Sequence, residues 1–146
     1  MITTKIKEDL IKHEGYKDEI YLCTADEPTF GIGHMIRKED PEYGSPIGTK
    51  VSQERIDECF EQDCAIAWAD AEEIFGPLDQ YPENVIRVVV NMAFNIGRPR
   101  LSRFKNMIQA VKNKDYVKAA DEMVDSLWYN QVGNRSIELE NWMRNA

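Results

Sequence analysis

The chain has 146 residues, of which 42% are apolar and 30% are charged. This length and composition are typical of a single globular domain and exclude disordered, collagen-like and low-complexity proteins. Its 18 basic and 26 acidic residues give a net charge of −8. We therefore expect neither nucleic acid nor an anionic membrane surface as a partner.

The cysteines and histidines predict neither a disulfide framework nor a metal site. Cys59 and Cys64 lie five residues apart in a helical pattern and point to different faces, so with Cys23 we expect three free thiols. Two histidines and the lack of a Cys-x-x-Cys pattern leave no recognisable set of metal ligands.

The apolar runs of the chain are short. Residues 1–10 contain none, so we expect no signal peptide. The longest, residues 64–69, is far below the ~20 residues of a membrane span, so we expect no membrane insertion. These patterns predict a protein that works in the cytosol or leaves it by a route that needs no signal.

The N-terminal third of the chain predicts one helix followed by a β-hairpin. Apolar residues at helical spacing predict a helix over about residues 3–13, with Gly15 as its stop. Alternating patterns over residues 20–23 and 29–33, separated by a turn-forming Ala-Asp-Glu-Pro sequence, predict the hairpin. Residues 39–49, rich in proline and glycine, predict a loop or an irregular third strand.

From Ser52, a good N-cap residue, the pattern turns helical and stays so. The run that ends at Gly76 predicts a helix of roughly 23 residues, about 35 Å long, which suggests a strut between two lobes. Further helices are predicted at about 85–96, closed by Gly97, at 104–111, at 116–127 and near 137–142, capped by Asn134. The predicted class is α+β, with the strands segregated near the N-terminus.

Glu14 is the first candidate for chemistry, because it stands at the end of the predicted first helix. The partial negative charge at a helix C-terminus favours the protonated carboxyl group that a general acid needs. A surface glutamate at a helix end is the alternative.

The hairpin carries the second set of candidates, in the patterns Tyr21-x-Cys23 and Thr29-x-Gly31-x-Gly33-His34. Cys23 and Thr29 would flank the turn on one face and look back at Glu14. No helix follows the two glycines in the way that a dinucleotide site requires. A structural hairpin is the alternative, with His34 as a hydrogen-bonding residue and Asp63 as its partner.

The third candidate is the segment 128–135, Trp-Tyr-Asn-Gln-Val-Gly-Asn-Arg. Aromatic rings beside side-chain amides suggest a sugar-binding surface, since pyranose faces stack on rings and hydroxyls pair with amides. The alternative is an interhelical loop with a core tryptophan and Asn134 as a helix cap. The sequence leaves both open.

Together and in this order, these segments resemble the phage-type lysozymes, glycoside hydrolase family 24, and within it the T-even type. The family pattern is E-G followed by Y-x-D-x-x-x-x-x-T-x-G-x-G-H, and the chain has Glu14-Gly15, Tyr21-Leu22-Cys23 and Thr29-Phe30-Gly31-Ile32-Gly33-His34. Residues 60–63, 91–97 and 128–135 are also similar to that type. The resemblance covers nearly the whole chain, although residues 35–51 are shorter than their counterpart.

The resemblance implies a catalytic trio of glutamate, aspartate and threonine. Glu14 matches the general acid and Thr29 matches the threonine, while the position of the aspartate holds Cys23. The spacing from Cys23 to Thr29 agrees with that of the family. Asp26, three residues further on, matches a different position.

Other matches imply supporting and substrate-binding roles. Arg135 matches an arginine near the catalytic glutamate, and His34 with Asp63 is the second supporting group. The substrate contacts implied by the resemblance are Asn95, Gln131 and Phe94.

The resemblance implies an α+β, lysozyme-like fold, with a small N-terminal β-hairpin lobe joined by a long helix to a C-terminal helical bundle lobe. We expect one domain over residues 1–146, with the N-terminal lobe at about 14–51 and the connecting helix at about 52–75. The C-terminal lobe would span about 77–146, with helix 1 packing on it. The cleft would lie between hairpin and bundle.

The implied activity is that of a muramidase, which hydrolyses the β-1,4 bond between N-acetylmuramic acid and N-acetylglucosamine in bacterial peptidoglycan. No cofactor or metal is implied, and we expect a monomer. Two settings fit: an endolysin that stays in the host cytoplasm until release through a holin, and a virion-associated lysozyme.

Cys23 leaves four interpretations open. In inverting hydrolysis one carboxylic acid protonates the leaving oxygen and a second carboxylate activates water, whereas an ordinary thiol is mostly neutral at pH 7. Either Cys23 substitutes as a partial thiolate that orients water or attacks the sugar carbon, or Glu14 suffices with Thr29 holding the water. Otherwise Glu14 acts alone in a transglycosylase reaction, or catalysis is lost and the chain is a glycan-binding relic.

The net charge is a second departure from expectation. An acidic protein gains no electrostatic steering toward an anionic cell wall and is repelled by it at low salt. A salty habitat, which screens the repulsion, is one explanation, and a protein that does not bind walls is the opposite one. A helical interaction protein without the hairpin is a further alternative.

Overall fold

The computed structural model describes residues 2–146 and shows a mostly helical chain with one small antiparallel sheet. The helices are α1 (Thr4–Glu14), α2 (Gln53–Phe75), α3 (Glu83–Leu101), α4 (Lys105–Lys112), α5 (Tyr116–Val124), α6 (Leu127–Val132) and α7 (Asn134–Arg144). The strands are β1 (Lys17–Leu22), β2 (Pro28–Gly31) and β3 (His34–Met35). The predicted α+β class is confirmed, and the sheet contradicts the alternative of a purely helical interaction protein.

The contacts divide the described chain into two compact units, residues 2–65 and residues 66–146. The first unit holds α1, the sheet and the first half of α2. The second holds the rest of α2 and the helices α3 to α7. The predicted lobe limits, and the packing of helix 1 on the C-terminal lobe, stay predictions.

In the first unit, α1 leads directly into the sheet. The side chain of Thr3 caps α1 by accepting a hydrogen bond from the Ile6 N–H at 3.3 Å. The strands pair in the order β1-β2-β3, with Tyr21 opposite Thr29 and Phe30 opposite His34. The predicted hairpin is therefore confirmed.

Of the two alternatives for residues 39–49, the loop is confirmed, and the third strand lies earlier in the chain. It comprises residues 34–35, immediately after the glycine turn, whereas residues 39–49 form turns without a strand. An isolated bridge between Lys50 and Glu19 follows them. Prolines and glycines in residues 39–49 favour turns over a ladder of hydrogen bonds, which explains why a loop and not an irregular strand forms there.

The long helix begins and ends as predicted. Ser52 Oγ accepts a hydrogen bond from the Arg55 N–H at 3.2 Å, which is the geometry of an N-cap. The predicted apolar face is largely buried, and its fully or nearly fully buried members are Ile56, Phe60, Ala67 and Ala71. Within residues 2–146, no helix combines the length and the apolar character that crossing a bilayer requires.

The second unit is built around α3, whose buried apolar face follows the predicted spacing. Gly97 breaks the helical geometry with φ 77° and ψ 165°, and one further turn carries the helix to Leu101. Gly97 therefore closes the regular part of the helix, as predicted.

Two predictions near the C-terminus are wrong. The predicted helix over 116–127 ends at Val124, because Ser126 caps a new helix by accepting a bond from the Tyr129 N–H at 3.2 Å. Leu127, expected on an apolar face, is therefore 74% exposed. Asn134 is not a cap: it is the first residue of α7, and Gly133, with φ 61°, takes the cap position without a side-chain bond.

Candidate active site

Glu14 is the last residue of α1, and its carboxyl group lies against the backbone of Gly33. A Cβ atom added at residue 33 would stand 2.5 Å from Glu14 Oε1 and 2.8 Å from the carboxyl carbon. Gly33 also has φ +64°, a conformation that side chains rarely adopt. The turn geometry therefore favours glycine at residue 33, and a side chain there would displace the carboxyl group of Glu14.

Tyr21 connects Glu14 electrostatically with the hairpin. Burial raises the pKa of the Tyr21 phenol, and the charges of Glu14 and Cys23 raise that pKa further. Both groups therefore lie close enough to the phenol to act on it. The structure thus brings Glu14 near Tyr21 and Cys23, which lie seven and nine residues further along the chain.

Cys23 follows β1 directly and opens the tight turn of the hairpin. Its N–H donates to the Glu27 carbonyl at 3.1 Å, and its carbonyl accepts from the Asp26 N–H at 2.8 Å. Burial by itself raises the pKa of the half-buried Cys23 thiol. Hydrogen bonds from the backbone of Glu27, the Thr29 hydroxyl and the backbone of Ala25 more than offset this, so that the pKa lies below the ordinary thiol value.

Thr29 is 1% exposed and faces the same turn. Its Oγ1 donates to the Glu27 carbonyl at 2.8 Å, while the same hydroxyl also lowers the pKa of Cys23. A hydroxyl has a single proton, so Thr29 serves one of these acceptors at a time. The direction of its hydrogen bond is therefore coupled to the charge on Cys23.

His34 is held between two carboxylates. Its Nδ1 lies 2.7 Å from Asp63 Oδ2 and its Nε2 lies 2.8 Å from Asp40 Oδ2, and the side chain is 3% exposed. The imidazole donates from both nitrogens only when it is protonated. Burial lowers the pKa of His34, but the hydrogen bonds to Asp63 and Asp40 outweigh it, so the net shift is upward.

Two arginines extend this arrangement, and together the five residues form what we call the His34 cluster. Arg37 Nη2 donates to Asp63 at 2.8 Å, and Arg55 Nη2 donates to Asp40 at 3.3 Å. The predicted contact between His34 and Asp63 is present. Asp40 was not predicted, because it lies in a turn-rich segment without any periodic pattern.

In the second unit, Arg135 is held by a buried amide. Arg135 Nε donates to Asn91 Oδ1 at 2.9 Å, and Nη2 donates to the Asn91 carbonyl at 3.5 Å. Asn91 is fully buried in α3. Sequence reasoning missed this role, although a lone polar residue among the apolar ones of that helix face was a usable signal.

Asn95 is oriented by the tryptophan of the third candidate segment. Trp128 Nε1 donates to Asn95 Oδ1 at 2.9 Å, so the amide nitrogen keeps its two protons for other partners. Trp128 is 2% exposed and meets Phe104 edge-on, with ring centroids 6.2 Å apart. It is therefore a core residue, and its ring offers no surface on which a sugar can stack.

The other predicted substrate contacts differ in exposure. Gln131 is exposed on α6, and Phe94 is half-buried on α3. The Tyr129 hydroxyl, in the same candidate segment, donates to Glu140 Oε1 at 2.8 Å. In the segment 128–135 the polar side chains are therefore more available to a ligand than the aromatic rings are.

The three cysteines are free, as predicted. Burial raises the pKa of Cys59 to about 11 and that of Cys64 to about 12, the opposite direction from Cys23. Among the described residues, no group of three or more His, Cys, Asp or Glu side chains is placed to hold a metal ion.

Similarity to known proteins agrees with these features. The sequence profile of the family described as Phage lysozyme matches residues 11–144. The chain is 28% identical over 152 residues to a probable T4-type lysozyme 2 of Dictyostelium discoideum, and the alignment covers 88% of each protein.

Two phage proteins are similar over a part of their own length. The pre-baseplate central spike protein Gp5 of Enterobacteria phage T4 is 29% identical, over 88% of this chain and 26% of Gp5. The peptidoglycan hydrolase gp36 of Pseudomonas phage phiKMV is 26% identical, over 89% of this chain and 14% of gp36. Because the family match spans nearly the whole chain, the protein belongs to the phage lysozyme family.

Proposed function

We propose that the protein is a muramidase that hydrolyses the β-1,4 bond between N-acetylmuramic acid and N-acetylglucosamine in peptidoglycan. One observation carries the proposal: Glu14 is held against Gly33 in the same unit as the thiol of Cys23 and the hydroxyl of Thr29. Membership of the family and similarity to a protein named a peptidoglycan hydrolase support the substrate class.

In the proposed reaction Glu14 is the general acid. It gives its proton to the glycosidic oxygen as the bond between that oxygen and the anomeric carbon breaks. A water oxygen forms the new bond to the anomeric carbon, and the Cys23 thiolate takes the proton that this water releases. Thr29 orients the thiolate and the water through its hydroxyl.

The lowered pKa of Cys23 is what makes a thiol acceptable in place of a carboxylate. A lower pKa increases the thiolate fraction near neutral pH, and only the thiolate accepts a proton. The activity should therefore rise with pH along the titration of Cys23. A carboxylate at residue 23 would remove this rise, because it is ionised throughout the neutral range.

The remaining assignments rest on the resemblance and on local geometry. Arg135, held by Asn91, is proposed as a supporting cation, and His34 with Asp63 as a structural support behind the glycine turn. Asn95, Gln131 and Phe94 are proposed as substrate contacts. We further propose a monomer that acts either as an endolysin released through a holin or as a virion-associated lysozyme.

The test is mass spectrometry of the soluble products released from purified peptidoglycan, at low and at high salt. Wild-type protein should release muropeptides with reducing ends, and Glu14→Gln should reduce the rate by about 100-fold or more. Glu8→Gln is the matched control, because Glu8 is an exposed glutamate on the same helix and should leave the rate unchanged.

Cys23→Asp decides the role of the thiol in the same assay. A lower rate than wild type across neutral pH would assign Cys23 a catalytic role of its own. A higher rate, without the rise with pH, would identify Cys23 as a weakened base. Anhydro products would indicate a transglycosylase, and binding without products at any salt would leave the glycan-binding relic.

A further inference from the structure

The negative charge of the protein is concentrated in one part of the chain. Residues 2–65 carry eight basic and fifteen acidic side chains, whereas residues 66–146 carry ten basic and eleven acidic ones. Within the second unit, residues 84–114 contain seven basic residues and no acidic residue. Although the whole chain has a net charge of −8, residues 84–114 therefore form a strongly basic stretch of 31 residues.

Four of these cations lie at the end of α3, in the turn that follows and along α4, and we call them the basic corner: Arg100, Arg103, Lys105 and Lys112. A turn joins Arg100 to Arg103, with the Arg103 N–H donating to the Arg100 carbonyl at 3.1 Å. Lys112 lies seven residues after Lys105 on α4, which places it on nearly the same face, about 10.5 Å further along. All four side chains are exposed.

The other cations of the same stretch have partners in the fold. Arg98 pairs with Glu73, Lys114 lies over the ring of Tyr81 at 3.8 Å, and Arg87 lies over the ring of Trp142 at 3.8 Å. Among residues 2–146, none of the four cations of the basic corner makes an ion pair, a hydrogen bond from its side chain or a ring contact.

Elsewhere in the protein several partly exposed cations pair with carboxylates. Lys7 pairs with Glu61, and Arg144 pairs with both Asp121 and Glu140. Like charges gathered without counter-charges repel one another and oppose folding. The basic corner therefore has no stabilising role that the fold itself reveals, and an external anion would offset its repulsion.

The surroundings of the corner distinguish among anionic partners. None of the exposed large apolar side chains lies in residues 84–114, so the corner lacks the apolar anchor of a membrane-surface site. Duplex DNA presents a dense row of phosphates that the acidic remainder of the protein would repel. A flexible polymer with well-separated carboxylates fits cations that are themselves separated, as Lys105 and Lys112 are by about 10.5 Å along α4.

We propose that the basic corner is a docking surface for the carboxylate groups of peptidoglycan. This inference rests on the proposed function, because its partner is the proposed substrate. The corner holds the polymer through exposed ion pairs, and so it offsets the repulsion between an acidic protein and an acidic wall. Binding through it weakens with added salt.

The experiment compares two triple variants in the Glu14→Gln background, so that binding is measured without cleavage. One is Arg100→Ala with Arg103→Ala and Lys105→Ala. The control is Lys5→Ala with Lys38→Ala and Lys118→Ala, which removes three exposed cations outside the corner. In the Glu14→Gln background both triple variants have a net charge of −10, so a difference between them reports position and not total charge.

Binding to insoluble peptidoglycan is measured by sedimentation at about 20 mM and about 1 M NaCl, since screening is nearly complete at the higher concentration. The corner variant should bind about tenfold more weakly than the control at low salt, because exposed ion pairs contribute modestly and three are removed. The difference should vanish at high salt. Equal binding of the two variants at low salt would overturn the proposal.

Two further arms identify the partner. Peptidoglycan whose carboxylates have been converted to amides should bind the control variant no better than the corner variant. Tighter corner-dependent binding to phosphatidylglycerol vesicles or to duplex DNA would overturn the choice of partner. Corner-dependent binding, when the wild-type protein releases no soluble fragments, supports the docking surface and contradicts only the proposed function.

Discussion

Residue 33 shows how one missing side chain serves both the backbone conformation and the placement of Glu14. Gly33→Ala would strain a positive φ by roughly 1–2 kcal/mol and would also push a methyl group into the carboxyl group of Glu14. We expect a loss of peptidoglycan cleavage of about 100-fold, because small displacements of a catalytic group have effects of that size. The rate of muropeptide release measures it.

Gly44→Ala is the matched control for this prediction. Gly44 has φ +84°, and a Cβ atom there would meet nothing within 4 Å. The two variants should therefore lose similar amounts of stability in urea unfolding, while only Gly33→Ala loses activity. Equal activity of the two variants would show that the closeness of residue 33 to Glu14 is irrelevant to the reaction.

At the scale of elements, the ion pairs of the His34 cluster connect β3 and the segment that follows it to α2. Because the pKa of His34 is raised in the fold, its contribution is complete below the unfolded value of about 6.5 and is lost as pH rises through the folded pKa. The pKa of Asp40 is shifted down: burial opposes the shift, but hydrogen bonds from Arg37 and His34 outweigh it. Its contribution is lost as acid is added.

We therefore expect the cluster to stabilise the fold most between about pH 4 and pH 6.5. His34→Gln should lower the free energy of unfolding by about 3 kcal/mol near pH 6, with a smaller difference from wild type at pH 9. Urea unfolding across this range measures the difference. His13→Gln is the control for the other histidine, and a difference for His34→Gln that stays constant with pH would contradict the assignment.

The elements that the sequence predicted well are those with local signals. The limits of α2 follow from a cap at Ser52 and a regular apolar face, and both are encoded within a few residues of each position. The break between α5 and α6 was missed because Leu127 continues the apolar spacing, although Asp125 and Ser126 interrupt the helix. At this position the N-cap residue Ser126 decides where the helix ends, and the apolar spacing that Leu127 continues does not.

At the scale of the whole molecule, the free thiols report on folding. Cys23 should react with iodoacetamide in the folded protein within minutes, since it is half-exposed and its pKa is lowered. Cys59 and Cys64 are each 1% exposed, with pKa values raised to about 11 and about 12, so they should react only when the chain opens.

Mass spectrometry of labelled peptides at increasing times measures the three rates. Cys23→Ala should abolish the fast phase and leave the slow one unchanged, and protein in concentrated urea should show all three thiols reacting together. Labelling of Cys64 in the folded state at the rate of Cys23 would contradict the burial that the structure describes.

Residues that act across long stretches of chain were the least predictable. Asp40 meets Arg55, 15 residues away, only after residues 36–43 fold back on α2, and Asn91 meets Arg135 across 44 residues. By contrast, Glu14, Thr29 and Gly33 belong to a motif with fixed spacing, which is why the sequence alone makes them candidates. Whether they catalyse depends on the chemistry of Cys23, which spacing does not determine.

The hydrogen bond from Trp128 to Asn95 restricts the evolutionary choices at residue 95. Aspartate would keep the bond to the indole, because a carboxylate oxygen accepts as well as an amide oxygen does. It would, however, replace the two amide protons with another acceptor. A change from asparagine to aspartate therefore preserves the bond to Trp128 but turns a hydrogen-bond donor toward a ligand into an acceptor. Any evolutionary constraint against aspartate at residue 95 then reflects ligand recognition and not stability.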